Sequence, residues 1–391
     1  MRIAQRVQQL QPEGAYQVMA RAQELEAAGR DIIHLEIGEP DFATEPRICA
    51  AGVEAISAGR TKYNPPSGIG ALRAAIAEDV SRRRGITVQP EQVVVGPGGK
   101  PALFFPTLAL VEPGDEVIFP DPGFPTYRAM TEVAGGVSVP VPLCEEHDFS
   151  FDLDAFDRRI NDRTRLIVLN SPSNPTGGVM PQADLEHIAA AAQRHDCWVI
   201  TDEIYARMAY DGIHVPSITA IDGMLERTIL ADGFSKTYSM TGWRLGYGIM
   251  PVPLAEKIHL MLVHSVGCTA HFTQYAGIEA LTGPQDVVDM VVAKYRSRRD
   301  TLVEGLNAIP GVSCRTPHGA FYAFPNVKSF GRPAAELANL LLDEVGVALL
   351  PGTAFGQYGE GYLRLCYANS LENIERAVER MGESLGRLGT A

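Results

Sequence analysis

Five short apolar runs restrict what this chain can fold into. Gln92–Val95, Glu116–Phe119, Leu166–Leu169, Trp198–Ile200 and Thr228–Leu230 are rich in β-branched residues and almost continuously hydrophobic. A strand with one wet face alternates apolar and polar residues, so unbroken apolarity marks strands covered on both faces. Amphipathic stretches lie between the runs. In 182–195, for example, Leu185, Ile188, Ala189 and Ala192 fall at helical spacing. Strand–helix alternation of this kind predicts an α/β fold with a large, mainly parallel sheet and helices on both faces.

The pattern changes toward the C-terminus. A long helix is expected over 284–308, striped by Val287, Val288, Val291, Val292, Tyr295, Leu302 and Leu306 and ended by Pro310-Gly311. Phe321–Phe324 and Tyr362–Leu365 read as strands, with helices around 333–345 and from 371 onward, giving a smaller α+β domain. A helix over 16–28 is expected to pack with this lobe. The division is an N-terminal arm with part of the small domain (1–45), a large domain (46–290) and a small C-terminal domain (291–391).

Composition excludes several partners. The net charge of −13 is spread without a basic run, which argues against nucleic acid and anionic membranes. No stretch approaches roughly eighteen continuous apolar residues, the length that spans a bilayer. The opening residues carry no secretory pattern, and six cysteines without CxxC spacing suit free thiols in a reducing cytoplasm. Without a Cys/His cluster or HExxH, no metal site is expected.

Chemistry-bearing residues gather at predicted strand ends, where open α/β sheets build their sites. Gly96-Pro-Gly-Gly-Lys-Pro101 joins a strand to a helix. Gly98 and Gly99 let backbone N–H groups approach an anion, and the helix N-terminus favours negative charge. It is neither a P-loop nor a Rossmann fingerprint, and by itself it reads equally as a tight turn. Asp202, at the end of its run, can pair with a protonated heterocycle nitrogen or cap a helix. Tyr205, three residues on, can donate a hydroxyl to a phenolate. Asn174 offers an amide on the stiff Asn174-Pro175 turn. Lys236, in Asp232-Gly-Phe-Ser-Lys-Thr-Tyr-Ser-Met-Thr-Gly-Trp-Arg244, sits among small and hydroxyl residues with Arg244 eight positions later. That suits an amine that captures an aldehyde while hydroxyls and a guanidinium hold a phosphate.

The set and its order resemble the class I/II pyridoxal-phosphate aminotransferases of fold type I, in the aspartate aminotransferase branch. The resemblance spans nearly the whole chain, from Gly38-Glu-Pro-Asp-Phe42 through Tyr63-Asn-Pro-Pro-Ser-Gly68 and the motifs above to Arg364. It implies that Lys236 forms the Schiff base with pyridoxal 5′-phosphate and shuttles the proton. It further implies that Asp202 pairs with the pyridine nitrogen, that Tyr205 and Asn174 donate to the ring oxygen, and that Phe124 stacks on the ring. Gly98, Gly99, Lys100, Ser235 and Arg244 then cradle the phosphate. Tyr63 reaches the phosphate of a neighbouring subunit, implying a homodimer with shared sites, while Arg364, Gly38 and Asn174 receive the substrate.

Two departures stand out. Gly233 occupies a position often held by a phosphate-binding serine. The segment Leu262–Gln274, expected to border the partner's substrate pocket, holds no Arg or Lys, which weighs against strict aspartate specificity. His264 and His271 there read either as sources of partial charge or as packed and solvated histidines. The expected activity is ping-pong transfer of an amino group from an L-amino acid to a 2-oxo acid in the cytoplasm. A β-elimination lyase or cyclase on an α-amino acid is the alternative, because such enzymes share most of these residues. A cofactor-sensing domain of a transcription regulator is a third reading, but Gly38-Glu-Pro-Asp41 comes too early to leave room for a DNA-binding module.

Overall fold

Successive strand residues face opposite sides of a sheet, and the apolar runs use both sides. The structure is a computed structural model that describes residues 3–8 and 10–388. Each run enters one eight-stranded sheet. Its order is Val93–Gly96, Gly246–Ile249, Thr228–Gly233, Trp198–Asp202, Thr164–Asn170, Glu116–Asp121, Val137–Cys144, Ser150–Phe151. Ile118, Ile167 and Val199 pack to one side, against Leu185 and Ile188 of the helix Gln182–Arg194. Val117, Leu166, Val168 and Ile200 pack to the other, against Leu103, Met130 and Ile258 from three further helices. Each such fully buried aliphatic side chain stabilises the fold by about 1.5–3 kcal/mol.

The inner strands pair in parallel, as expected. Gly246–Ile249 runs antiparallel to both neighbours, and Ser150–Phe151 is an antiparallel edge. Gln92 closes the 3-10 turn Pro90–Gln92 rather than opening the strand after it.

The smaller lobe forms from both chain ends. Leu363–Cys366 lies between Tyr322–Ala323 and Leu350–Pro351, and Ile33–His34 pairs in parallel with Val347–Ala348. The Leu35 N–H donates to Ala348 and its carbonyl accepts from Cys366, each at 2.8 Å, so the chain at 33–36 bridges the two small sheets. The long helix runs Asp286–Asn307 and buries Val288, Val291, Tyr295, Leu302 and Leu306 of the expected stripe. The helix Gly14–Ala27 buries Ala22 against Leu342 and Ala348, placing it with this lobe.

Candidate active site

The carboxyl ends of the parallel strands open into a cavity of about 560 Å³, closed from the opposite side by the small lobe. The Trp198–Asp202 strand delivers Asp202. The turn after Thr228–Gly233 delivers Ser235 and Lys236, and the turn after Thr164–Asn170 delivers Asn174. Gly99, Lys100, Phe124 and Tyr205 come from loops at the same edge, with Arg244 beside them. Gly38 and Arg364 reach in from the small lobe. Eleven of the sequence-derived site residues thus line one space.

Two others do not. Gly98 backs the cavity, and a Cβ there would collide with the Arg244 guanidinium. Tyr63 is 96% exposed and lies away from its own chain's cavity. His264 follows the helix Val252–Val263 in an exposed position, and His271 opens the next helix with its ring 5.5 Å from Tyr275. Neither histidine lines the cavity.

The amine of Lys236 donates to the Gly38 carbonyl at 2.6 Å and lies 5.8 Å from the Phe321 ring centroid. Desolvation brings its pKa down to about 8, so the free base is accessible near neutrality. Asp202 is buried, and desolvation raises its pKa to about 6. Opposing that rise, the Tyr127 hydroxyl donates to it at 2.9 Å and the Ile204 N–H at 3.3 Å. The Asn170 amide donates to the Asp202 carbonyl at 3.0 Å and accepts from the Asn174 N–H at 2.8 Å, tying the two strand ends together. The hydroxyls of Tyr205 and Tyr322 meet at 2.7 Å; burial raises both phenols, so both stay protonated at neutral pH.

Arg364 is 3% exposed. One Nη donates to the Glu36 carbonyl, and the guanidinium lies over the rings of Tyr322 and Phe355 at 4.7 and 5.1 Å. Among the described residues no carboxylate pairs with it, and its Nε has no partner. A buried cation so placed favours an incoming carboxylate. Lys100 is engaged differently: its ammonium meets Glu13 at 2.5 Å and lies 5.2 Å from the Phe124 centroid. Gly233, at the position where the family often has a serine, abuts the adjacent strand, since a Cβ would sit 3.1 Å from the Gly246 Cα.

Four cavity residues that make the contacts above carry no role in the sequence reading. Tyr127 stands three residues after Phe124, one helical turn away, which was the available signal. Tyr322 was read only as strand. Asn170 and Glu13 gave no signal beyond their positions, at a strand end and before a helix.

An α/β sheet with a second lobe thus frames a cleft that gathers a desolvated amine, a buried acid and an arginine without a carboxylate partner among the described residues, a set suited to group transfer on carboxylate-bearing substrates. The chain belongs to the family "Aminotransferase class I and II", whose sequence model matches residues 30–381. These are pyridoxal-phosphate-dependent enzymes of fold type I. It is 40% identical to an aspartate aminotransferase of Pyrococcus abyssi, over 92% of this chain and 93% of that one. It is 37% identical to aromatic-amino-acid aminotransferase 2 of Thermococcus litoralis, over 98% of each. The solved aspartate aminotransferase from Thermus thermophilus with maleate superposes with a TM-score of 0.94 at 39% identity, covering 98% of this chain and all of that one. Such relatives favour amino-group transfer over the lyase or cyclase alternative.

The residues present fit pyridoxal phosphate. Asn174 and Asp202 line the same cavity, one offering an amide NH2 to a ring oxygen and the other a carboxylate to a ring nitrogen. Gly246 leaves room for the Gly98–Gly99 backbone, because a Cβ there would strike it.

Proposed function

We propose that the chain forms a homodimer that transfers an amino group from an L-amino acid to a 2-oxo acid in two half-reactions, within the cytoplasm. The observation that carries this reading is the Lys236 amine, desolvated and set in one cavity with Asp202 and Arg364. Pyridoxal phosphate, when bound, supplies the aldehyde that takes up the amino group and a ring that accepts the electron pair. Lys236 would hold that aldehyde through Nζ, and once the donor's amine displaces it the freed Nζ would take the proton from the donor's α carbon. Asp202 holds a proton on the ring nitrogen. Asn174 and Tyr205 orient the ring oxygen, and Phe124 covers one ring face. Gly98, Gly99, Lys100, Ser235 and Arg244 hold the phosphate end, the loop through its N–H groups and Arg244 through its guanidinium. Arg364 receives the substrate's α-carboxylate, with Gly38 and Asn174 beside it.

In this reading Tyr63, exposed on its own chain, reaches the phosphate in the second subunit. The lobes divide at 45 and 290, with the first segment shared between arm and small domain. The Glu13–Lys100 pair already matches the lysine's charge at the cavity wall, so a donor with a neutral side chain is favoured over a dicarboxylate.

Borohydride reduction of the loaded enzyme, followed by peptide mass spectrometry, should place the cofactor adduct on Lys236. Lys236→Ala should remove both adduct and turnover. Turnover at the wild-type rate in that variant, or an adduct on another lysine, would overturn the assignment. Mixing the loaded enzyme with single amino acids and following the visible band identifies the donor.

A further inference from the structure

Glu36 is a buried carboxylate placed two residues before Gly38, in the strip of backbone that serves both active-site cations. Its carbonyl accepts from Arg364, and the Gly38 carbonyl accepts from Lys236. The Glu36 side chain is fully buried; Oε1 meets the His34 Nδ1 at 2.7 Å, and Oε2 has no partner among the described residues. Because its own carbonyl touches Arg364, the carboxylate lies within a side chain's reach of that guanidinium. No ion pair joins Glu36 to Arg364 among the described residues, and one formed by that carboxylate would occupy the group proposed to receive the substrate carboxylate.

His34 already holds that carboxylate through Nδ1. Extended backbone puts residues 34 and 36 on the same face, so the imidazole lies directly along the strand from the carboxylate. Its Nε2 meets Glu26 on the helix Gly14–Ala27 at 3.1 Å, so the ring is held at both nitrogens, and its backbone carbonyl accepts from the Asn369 amide at 2.9 Å. The hydrogen bond to Glu36 is the main reason the His34 pKa rises to about 9, so the ring is a cation at neutral pH.

We propose that His34 is a positioning residue that holds the Glu36 carboxylate away from Arg364 and so keeps the arginine free for substrate. The proposal rests on the reading of Arg364 as the carboxylate clamp. It predicts an unusual genetic logic: removing the histidine should damage substrate binding, and then neutralising the glutamate should repair it.

The test uses loaded enzyme and two measurements. One is KM and kcat for the best donor found in the half-reaction screen. The other is calorimetric Kd for the deaminated acid of that donor, which binds without reacting. His34→Asn should raise KM and Kd about tenfold with kcat nearly unchanged, as expected when a ground-state contact is lost. The double variant His34→Asn/Glu36→Gln should return both to within about twofold of wild type. Glu36→Gln alone should leave Kd unchanged or lower, and this arm stands even if His34→Asn folds poorly. Unchanged Kd in His34→Asn, absence of rescue in the double variant, or weakened binding in Glu36→Gln would each overturn the proposal. Arg364→Lys separates it from the clamp reading. If Arg364→Lys raises Kd while His34→Asn does not, only the histidine's role fails; if Arg364→Lys leaves Kd unchanged, the clamp itself fails.

Discussion

Desolvation acts on Lys236 and Asp202 in opposite chemical senses but toward one end. It disfavours the charged form of each, bringing the ammonium down to about 8 and the carboxylic acid up to about 6. Between those values Asp202 is ionised while a growing fraction of Lys236 is free base. Uptake of pyridoxal phosphate by the apo-protein should therefore quicken about tenfold per pH unit up to about 8 and then level off, with a further loss below about 6. Stopped-flow absorbance would follow it. The Tyr127 hydroxyl opposes the rise at Asp202, so Tyr127→Phe should move the acid limb to higher pH while leaving the limb near 8 in place. A single shift of both limbs would show that the two groups are misassigned. At this scale Lys236 and Asp202 were legible in short motifs and Arg364 through the family resemblance alone. The sequence did not expose Tyr127, Tyr322 or Glu13. Their partners stand 75, 117 and 87 residues away, so folding alone creates those contacts.

Among the elements, the interior strands were legible because burial on both faces leaves continuous apolarity in the chain. Gly246–Ile249 and Val137–Cys144 were not. Two glycines dilute the first, and Pro140 and Pro142, residues usually kept to strand edges, disguise the second. The glycines of the first have a structural reason. A Cβ on Gly246 would press on the Gly98 carbonyl and the Gly99 nitrogen, the backbone proposed to meet the phosphate. Gly246→Ala should lower stability by about 1–3 kcal/mol through overpacking and loosen the cofactor in the same step. Thermal melts with and without pyridoxal phosphate separate the two effects. A smaller cofactor-induced rise in Tm is expected, and an undiminished rise would detach this strand from the loop.

For the whole molecule, the strand–helix alternation and the change of pattern after 284 were enough to read a large sheet and a second lobe. The way residues 33–36 bridge the two small sheets was not readable, since a two-residue strand carries no periodicity. The proposed homodimer leaves no trace in the chain's pattern and rests on Tyr63, which is 96% exposed on its own chain. Sedimentation should give the mass of two chains, and Tyr63→Ala should raise the pyridoxal phosphate dissociation constant about tenfold. An unaltered constant would remove Tyr63 from the neighbour's site.

The cleft draws one wall from residues before 40 and another from residues after 320, with the sheet between them. During synthesis, the Lys236 loop leaves the ribosome long before Arg364. A partly made chain thus carries the Lys236 amine before it has Phe321, Arg364 and the rest of the wall that keeps that amine dry. The dry cleft is complete only after the last strand has been made, so a nascent chain acquires its proposed chemistry and its proposed discrimination together.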